Sequence, residues 1–191
     1  MKCPNALMFL CLFLIFPLST PYSSATEVSP SVSAREITLE YRFRQLKRAD
    51  NQIEASRIES AIWRLWLESG NQQVDQLLQQ AIQARRWYDF DRALSLLDQI
   101  IGLSPTYSEA WNQRATVHFQ RGDFESSLQD IARTLELEPR HFAALAGRGV
   151  IRLQQGDSAL AIQNIKAALN YHPFLKERSL FPFLMDSFQA P

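Results

Sequence analysis

Cysteine is scarce in this sequence, and only Cys3 and Cys11, both near the amino terminus, are present among 191 residues. Two cysteines are too few for a disulfide framework, or for a structural zinc site without help from histidine. The three histidines, His118, His141 and His172, are far apart in the chain and lack the spacing of metal ligands. We therefore expect no metal centre and no cofactor.

An excess of charge of either sign is also missing, since 20 Lys and Arg residues balance 20 Asp and Glu residues. This balance argues against a protein that coats nucleic acid or binds membranes through a polybasic surface, because both need a cationic excess. Hydrophobic residues make up 46% and charged residues 21% of the chain, which is typical of a globular protein. The length suits one ordinary domain.

A long hydrophobic run occurs at the amino terminus, where Lys2 precedes an apolar stretch from Ala6 to Phe16. This stretch is shorter than the roughly 20 residues that a membrane-spanning helix needs. Together with the small residues that follow, it predicts a cleaved secretory signal peptide over residues 1–25. The mature chain would then have 166 residues, no cysteine, a charge of −1 and no stable membrane span. The alternative is an uncleaved amino-terminal anchor.

The next segments predict a leader followed by a helical preface. Residues 26–33 are rich in serine and contain Pro30, which is typical of a flexible leader. Residues 34–73 form the preface, and Ile37, Tyr41 and Leu46 are expected to mark the apolar stripe of its first helix. The basic residues beside this stripe are expected to lie on a solvated face rather than to bind an anion. They are Arg42, Arg44, Lys47 and Arg48.

The second helix of the preface is predicted over Asn51–Ser69, where Ile58, Ile62 and Trp66 recur at helical spacing. Its tryptophans, Trp63 and Trp66, would either pack against the following helices or form a platform on which a ligand stacks. We expect burial, because such an apolar helix does not stay solvated.

An internal repeat is the strongest pattern in the chain. Pro105, Pro139 and Pro173 are spaced at 34 residues, and each follows an apolar helical pattern. Periods of this size indicate stacked supersecondary units, here helix, tight turn and helix. The turn dipeptides in the same phase are Tyr88-Asp89, Gly122-Asp123 and Gly156-Asp157. We expect the aspartates to lie at the start of each second helix.

The units resemble the tetratricopeptide repeat, with copies at 74–107, 108–141 and 142–175. Positions that fit its pattern are Leu77, Ala81, Ala93, Leu97 and Pro105, then Trp111, Ala115 and Pro139, then Leu145, Gly149, Ala161, Ile165, Ala168 and Pro173. The resemblance implies an all-α fold, a right-handed superhelical solenoid of three helix-turn-helix units. Gly149 is interpreted as a helix–helix contact.

Polar residues depart from this pattern inside the first helices, at positions such as Arg114 and Arg148. Because a buried charge needs a partner, we expect one of these two arginines to pair with Asp130.

A short solenoid needs its ends covered. The Asn51–Ser69 helix is expected to be the amino-terminal cap, and residues 176–191 the carboxy-terminal cap or tail. The four phenylalanines near this end either belong to a buried cap or form an exposed apolar hook for self-association. They are Phe174, Phe181, Phe183 and Phe188.

The resemblance implies that a peptide or protein partner binds in a concave groove lined by the first helix of each unit. The groove residues would be Ile82, Arg85, Arg86, Asn112, Thr116, Phe119, Gln120, Val150, Leu153 and Gln154. Their apolar strip with amide groups suits an extended backbone carrying apolar side chains. The alternative is ordinary scaffold surface.

No enzyme motif stands out: a nucleophile elbow, a zinc-protease helix and a phosphate-binding loop are all missing. His141 and His172 are expected to be exposed at inter-repeat turns. The sequence is similar to small exported tetratricopeptide proteins of Gram-negative bacteria that carry a Trp-x-x-Trp helix, here Trp63 to Trp66. We therefore expect a non-catalytic periplasmic scaffold for a protein partner. The alternative is an accessory domain of an envelope enzyme complex, or a weak enzyme whose site is completed at an interface.

Overall fold

The computed structural model describes residues 33–181, which form eight α-helices and one short 3-10 helix without any strand in that range. The helices are α1 (Ala34–Lys47), α2 (Gln52–Leu67), α3 (Gln72–Arg86), α4 (Phe90–Leu103), α5 (Ser108–Gln120), α6 (Phe124–Leu137), α7 (Phe142–Gln154) and α8 (Ser158–Tyr171). The 3-10 helix follows over Lys176–Leu180. The expected signal peptide and leader, and the end of the tail, lie outside the described residues.

Three helical hairpins, α3–α4, α5–α6 and α7–α8, form the body of the fold. The second helix of each hairpin packs on the first helix of the next, and the first helices α3, α5 and α7 also contact one another in order. This stacking confirms the predicted all-α solenoid of three helix-turn-helix units.

The turn inside each hairpin requires a residue in the left-handed region. Gly122 and Gly156 have φ of 78° and 81° at this position, and Tyr88 has φ of 60°. An L-residue with a side chain adopts this conformation at a cost of about 1–2 kcal/mol. The next residue is the predicted aspartate, and its carboxylate accepts the backbone N–H three residues on, as an N-cap. These pairs are Asp89 with Arg92, Asp123 with Ser126 and Asp157 with Leu160.

Gly149 allows α7 and α8 to approach closely, as the sequence predicts. A Cβ atom at this position would lie 2.9 Å from Ile165 Cγ1 and 3.2 Å from the carbonyl oxygen of Ala161. A larger residue would therefore push α7 away from α8.

The α1–α2 hairpin packs against the last repeat, not over the end of the first one. Its apolar face joins residues of α7 and α8 in one core cluster, in which the rings of Phe43 and Trp66 lie 6.4 Å and 5.1 Å from that of Phe142. The expectation of an amino-terminal cap was therefore wrong. Most apolar residues of α2 join the core cluster of the third repeat, whereas the core of the first repeat takes only Leu67 from this helix.

The buried face of α1 also differs from the prediction. Leu46 is buried as predicted, but Ile37 and Tyr41 are 59% and 50% exposed, and Leu39 and Phe43 are buried in their place. Both sets have helical spacing, so periodicity alone did not select the face that meets α2 and α8.

Three apolar side chains near the carboxy-terminal end of the described residues are buried, although the 3-10 helix between them is largely exposed or half-buried. Phe174, Leu175 and Phe181 join the cluster that holds α1, α2, α7 and α8 together. This packing favours the cap over the hook for that part, while Phe183 and Phe188 lie outside the described residues.

Candidate partner-binding groove

Helix α2 lies along the amino-terminal ends of the first helices of the repeats. At its carboxy-terminal end, the backbone N–H and hydroxyl of Ser69 donate to the Asp75 carboxylate at 2.7 Å and 2.6 Å. The Tyr107 hydroxyl donates to the carbonyl oxygen of Trp66 at 2.9 Å, and its burial raises the pKa of Tyr107. These contacts fix α2 across repeats one and two.

A buried polar cluster also connects α2 to the start of the third repeat. The fully buried Glu109 carboxylate lies 3.0 Å from Nε2 of His141, and Gln113 donates to it at 2.6 Å. Nδ1 of His141 accepts the backbone N–H of Ala144, so Nε2 carries the proton donated to Glu109. The Trp66 ring stacks on the imidazole with centroids 4.1 Å apart. The cluster thus satisfies a buried carboxylate beneath α2.

A second histidine ties the middle of α2 to the end of α8. His172 Nε2 lies 3.2 Å from one Glu59 carboxylate oxygen, and the Trp63 indole donates to the other at 3.2 Å. The hydrogen bond from His172 lowers the pKa of Glu59. His141 and His172 are 0% and 1% exposed, so their predicted exposure at the turns was wrong. Each imidazole pairs with a carboxylate from a distant helix, Glu109 of α5 or Glu59 of α2. The spacing of residues in the sequence does not reveal partners of this kind.

A cavity of about 680 Å³ lies between α2, α5, α7 and the carboxy-terminal segment. Large apolar side chains from these four elements and from α6 contribute to its wall, together with a smaller number of polar groups. The main apolar residues are Trp63, Phe119, Phe142, Val150, Phe174 and Leu180, and the main polar ones are Gln52, Ser56, Glu59, Asn112, Thr116 and His172. A mostly apolar cavity with a few polar groups is the usual form of a ligand-binding site.

The predicted groove residues are divided among three places. Asn112, Thr116, Phe119 and Val150 line this cavity. Ile82 and Arg86 line a separate, open cavity of about 590 Å³ along α3, with the half-buried Arg85 next to them in sequence. The remaining three are exposed at the carboxy-terminal ends of α5 and α7, outside both cavities. They are Gln120, Leu153 and Gln154.

Helix α2 takes the part of the concave face nearest the amino-terminal ends of α3, α5 and α7. Leu78, Glu109 and Ala146, which lie on the first helices α3, α5 and α7, are buried. Sequence reasoning missed the contribution of α2 and of the carboxy-terminal segment to the cavity wall. The one available sign was the pair Trp63 and Trp66, which marked α2 as a helix needing an apolar partner.

The polar departures inside the repeats are also resolved. Arg114 donates from Nε and Nη2 to the two Asp130 oxygens, each at 2.8 Å, and from Nη1 to Asp98 at 2.7 Å. The predicted pair of an inner arginine with Asp130 is confirmed for Arg114. Arg148 instead donates to the side-chain carbonyl of Asn164.

Within residues 33–181, no group of three or more His, Cys, Asp or Glu side chains is placed to hold a metal ion. Over that same range, no helix combines the length and the apolar character needed to cross a membrane.

Three stacked helical hairpins with a concave inner face define a helical repeat protein. The family model described as Tetratricopeptide repeat matches residues 78–133 and 112–174 of the chain. Together these matches extend over 97 of its 191 residues. The chain belongs to the tetratricopeptide repeat family. Its fold is that of a protein–protein interaction module, and members of this family are generally non-catalytic scaffolds.

One relative and two solved structures are similar to this chain. A TPR repeat-containing protein of Rhizobium etli is 36% identical over 118 residues, which is 58% of this chain and 58% of that protein. The chain therefore matches little more than half of the length of this relative. A crystal structure of MamA has a TM-score of 0.49 at 15% identity and covers 76% of this chain and 81% of its own. A second MamA structure has a TM-score of 0.45 at 14% identity, covering 72% and 75%.

Proposed function

We propose that the chain is an exported interaction module that holds an extended segment of a protein partner in the cavity between α2, α5 and α7, and that it has no catalytic activity of its own. The observation that carries this proposal is the cavity itself, about 680 Å³ in volume and walled by α2, α5, α6, α7 and the carboxy-terminal segment.

The chemistry of the wall supports an extended segment. Phe119 and Val150 offer apolar surface to a bound side chain, and the Asn112 amide nitrogen already donates to Glu109 at 3.2 Å. The Asn112 side-chain carbonyl is then left to accept a backbone N–H of the partner. Binding of this kind combines apolar pockets for specificity with backbone hydrogen bonds for register.

The position of α2 supports the same choice. Because α2 shares a core cluster with Ala146, and its Trp66 stacks on the His141 ring that pairs with Glu109, a partner helix has no room to lie along the full concave face. A narrow segment with one or two apolar side chains fits the remaining space.

Binding measurements on the partner, once it is isolated with the wild-type protein, test the site. Phe119→Asp and Val150→Asp place a carboxylate in the cavity, so each should weaken binding at least tenfold without unfolding the protein. Leu153→Asp, outside the cavity, should have a smaller effect. Leu103→Asp is the matched control, since Leu103 is 55% exposed and not part of the cavity wall. Equal affinities for the Phe119 and Leu103 variants would count against the site.

Export to the periplasm rests on the sequence of residues 1–25 and is tested separately. Osmotic-shock release followed by amino-terminal sequencing should give a soluble chain that begins at Thr26. A chain that keeps residue 1 and sediments with membranes would instead support the uncleaved anchor.

A further inference from the structure

The turn between α3 and α4 carries two large aromatic side chains in solvent. Trp87 and Tyr88 are 77% and 76% exposed. Tyr88 also has the left-handed backbone that the other two repeats give to Gly122 and Gly156. The first repeat thus places a strained tyrosine where its neighbours use glycine, and the Tyr88 ring packs only edge-on against Phe90, at 5.8 Å. The backbone strain at Tyr88 is not offset by packing of its side chain in the core, and strain of this kind is typical of residues that bind a partner.

An open cavity adjoins these rings. Its wall consists of Gln79, Ile82, Gln83, Arg86 and Trp87, and its volume is about 590 Å³. The wall offers apolar surface from Ile82 and Trp87, amide groups, and a single cation. No carboxylate contributes to it.

The positive charge at this place is unbalanced within residues 33–181. Arg86 is exposed and makes no ion pair with a described residue, and the buried Nε of the neighbouring Arg85 has no hydrogen-bond acceptor among them. The two acidic side chains that follow next in sequence have other partners. Asp89 caps α4, and Asp91 pairs with Arg121 at 2.8 Å.

We propose that Ile82, Arg86, Trp87 and Tyr88, named here the aromatic corner, form a second docking surface that binds an acidic peptide segment carrying an apolar side chain. A carboxylate of the segment pairs with the Arg86 guanidinium, which presents the fork geometry that suits it. The apolar side chain packs on Ile82 and between the two rings. Tryptophan, tyrosine and arginine are the residues that contribute most at protein interfaces.

The aromatic corner is separate from the cavity beneath α2. It shares no wall residue with that cavity. The two proposals therefore fail or succeed independently.

Indole resonances of the 15N-labelled full chain provide a direct readout, because there are four tryptophans and Trp87→Phe identifies the one at the corner. The probe is a blocked peptide, Asp-Glu-Leu-Phe-Glu-Asp. Its control replaces each acid by the matching amide. The acidic peptide should shift the Trp87 indole signal in a saturable way, and the amide peptide should not.

Tyr88→Gly separates binding from folding. Glycine relieves the strain of the turn, so Tm should stay unchanged or rise by up to about 4 °C, while affinity for the acidic peptide should fall at least fivefold. Arg86→Glu should abolish binding of the acidic peptide and confer binding of a peptide with lysine in place of the acids. Ile53→Ser is the matched control, because Ile53 is an 84% exposed apolar residue on α2. This variant should change neither the Tm nor the affinity for the acidic peptide.

Three outcomes would overturn the proposal. The Trp87 signal could stay unmoved at millimolar acidic peptide, or it could move equally with the amide peptide. It could also shift with protein concentration alone and stop doing so in Tyr88→Gly, in which case the corner binds a second copy of this chain.

Discussion

At the scale of single residues, the glycine and charged positions inside the repeats determine how closely the helices pack. Gly149 lies against Ile165 and Ala161, whereas Gly102, also in a helix, has nothing within 4 Å of a built Cβ. The same substitution should therefore have opposite effects at the two positions.

Gly149→Ala should lower the free energy of unfolding by about 1–3 kcal/mol, because the added methyl group overlaps a fully buried isoleucine and a backbone oxygen. Gly102→Ala should raise it by up to about 1 kcal/mol, since alanine has the higher helix propensity and meets open space. Urea denaturation of both variants measures the difference. A stabilised Gly149 variant would mean that α7 and α8 are not in close contact.

Arg114→Ala should lower the free energy of unfolding by about 2–4 kcal/mol, because the Asp130 carboxylate, 6% exposed, loses its bidentate partner. The matched control is Arg133→Ala, whose pair with Glu136 is exposed on the surface of α6 and should contribute no more than about 0.5 kcal/mol. Similar losses of unfolding free energy for both variants, measured by denaturation, would show that the buried pair contributes no more stability than the exposed one.

Much of this detail was predictable from the sequence. The spacing of the repeat predicted the small residue at Gly149, the capping aspartates and the pairing of Asp130 with an inner arginine. The exposure predicted for His141 and His172 was wrong, because their partners, Glu109 and Glu59, come from helices that sequence spacing does not connect to them.

At the scale of helices, the position of α1 and α2 is the main result. The α1–α2 hairpin is held by apolar packing on the third repeat and by a charged contact with the end of the second, in which Arg140 pairs with Glu36 of α1 at 2.8 Å and with Glu138 at 2.7 Å. Amphipathic spacing predicted both helices, but not the surface that they cover. Choosing between the first and the third repeat depends on the shape and area of the tertiary contact, which local periodicity does not contain.

Acidification should weaken this charged contact. Burial by itself would raise the pKa of Glu138, but the hydrogen bonds and charge of Arg140 outweigh it, so the pKa lies below its ordinary value of 4.5. A lowered carboxyl pKa contributes stability that is complete above about pH 4.5 and is lost as the pH falls through the folded-state pKa. The Tm advantage of wild type over Glu138→Gln should therefore be constant between about pH 5.5 and 7 and shrink below about pH 4.5.

Glu125→Gln is the control for that titration, because Glu125 is exposed and forms no ion pair with any residue in the range 33–181. Its Tm should follow wild type across the same range. If the difference between wild type and Glu138→Gln grows on acidification, the sign of the proposed linkage is wrong.

At the scale of the whole molecule, the two ends of the described chain meet in one core. Phe181 is 2% exposed and belongs to the cluster that contains residues of α1 and α2 as well as α7 and α8. The chain thus surrounds its concave cavity with segments from both ends. The repeats were predictable from the 34-residue period, but this closure was not, since the α1–α2 hairpin and the carboxy-terminal segment lie outside the period.

Truncation after Leu175 should therefore lower Tm by about 5–15 °C and broaden the melting transition, because it removes a buried aromatic side chain from that core. Phe181→Ala should reproduce most of the loss, and Leu180→Ala, at a residue 51% exposed, should not. Unchanged melting together with lost self-association would support the apolar hook instead.

Photo-crosslinking from the cavity tests the central claim, that a partner segment binds between α2, α5 and α7. Phe119 is replaced by p-benzoylphenylalanine, which is activated in living cells, and Leu103 is replaced in the same way as a control outside the cavity. We expect one discrete protein adduct from position 119, absent from position 103 and lost when Val150→Asp is added. An adduct that survives Val150→Asp, or that forms equally from position 103, would contradict it.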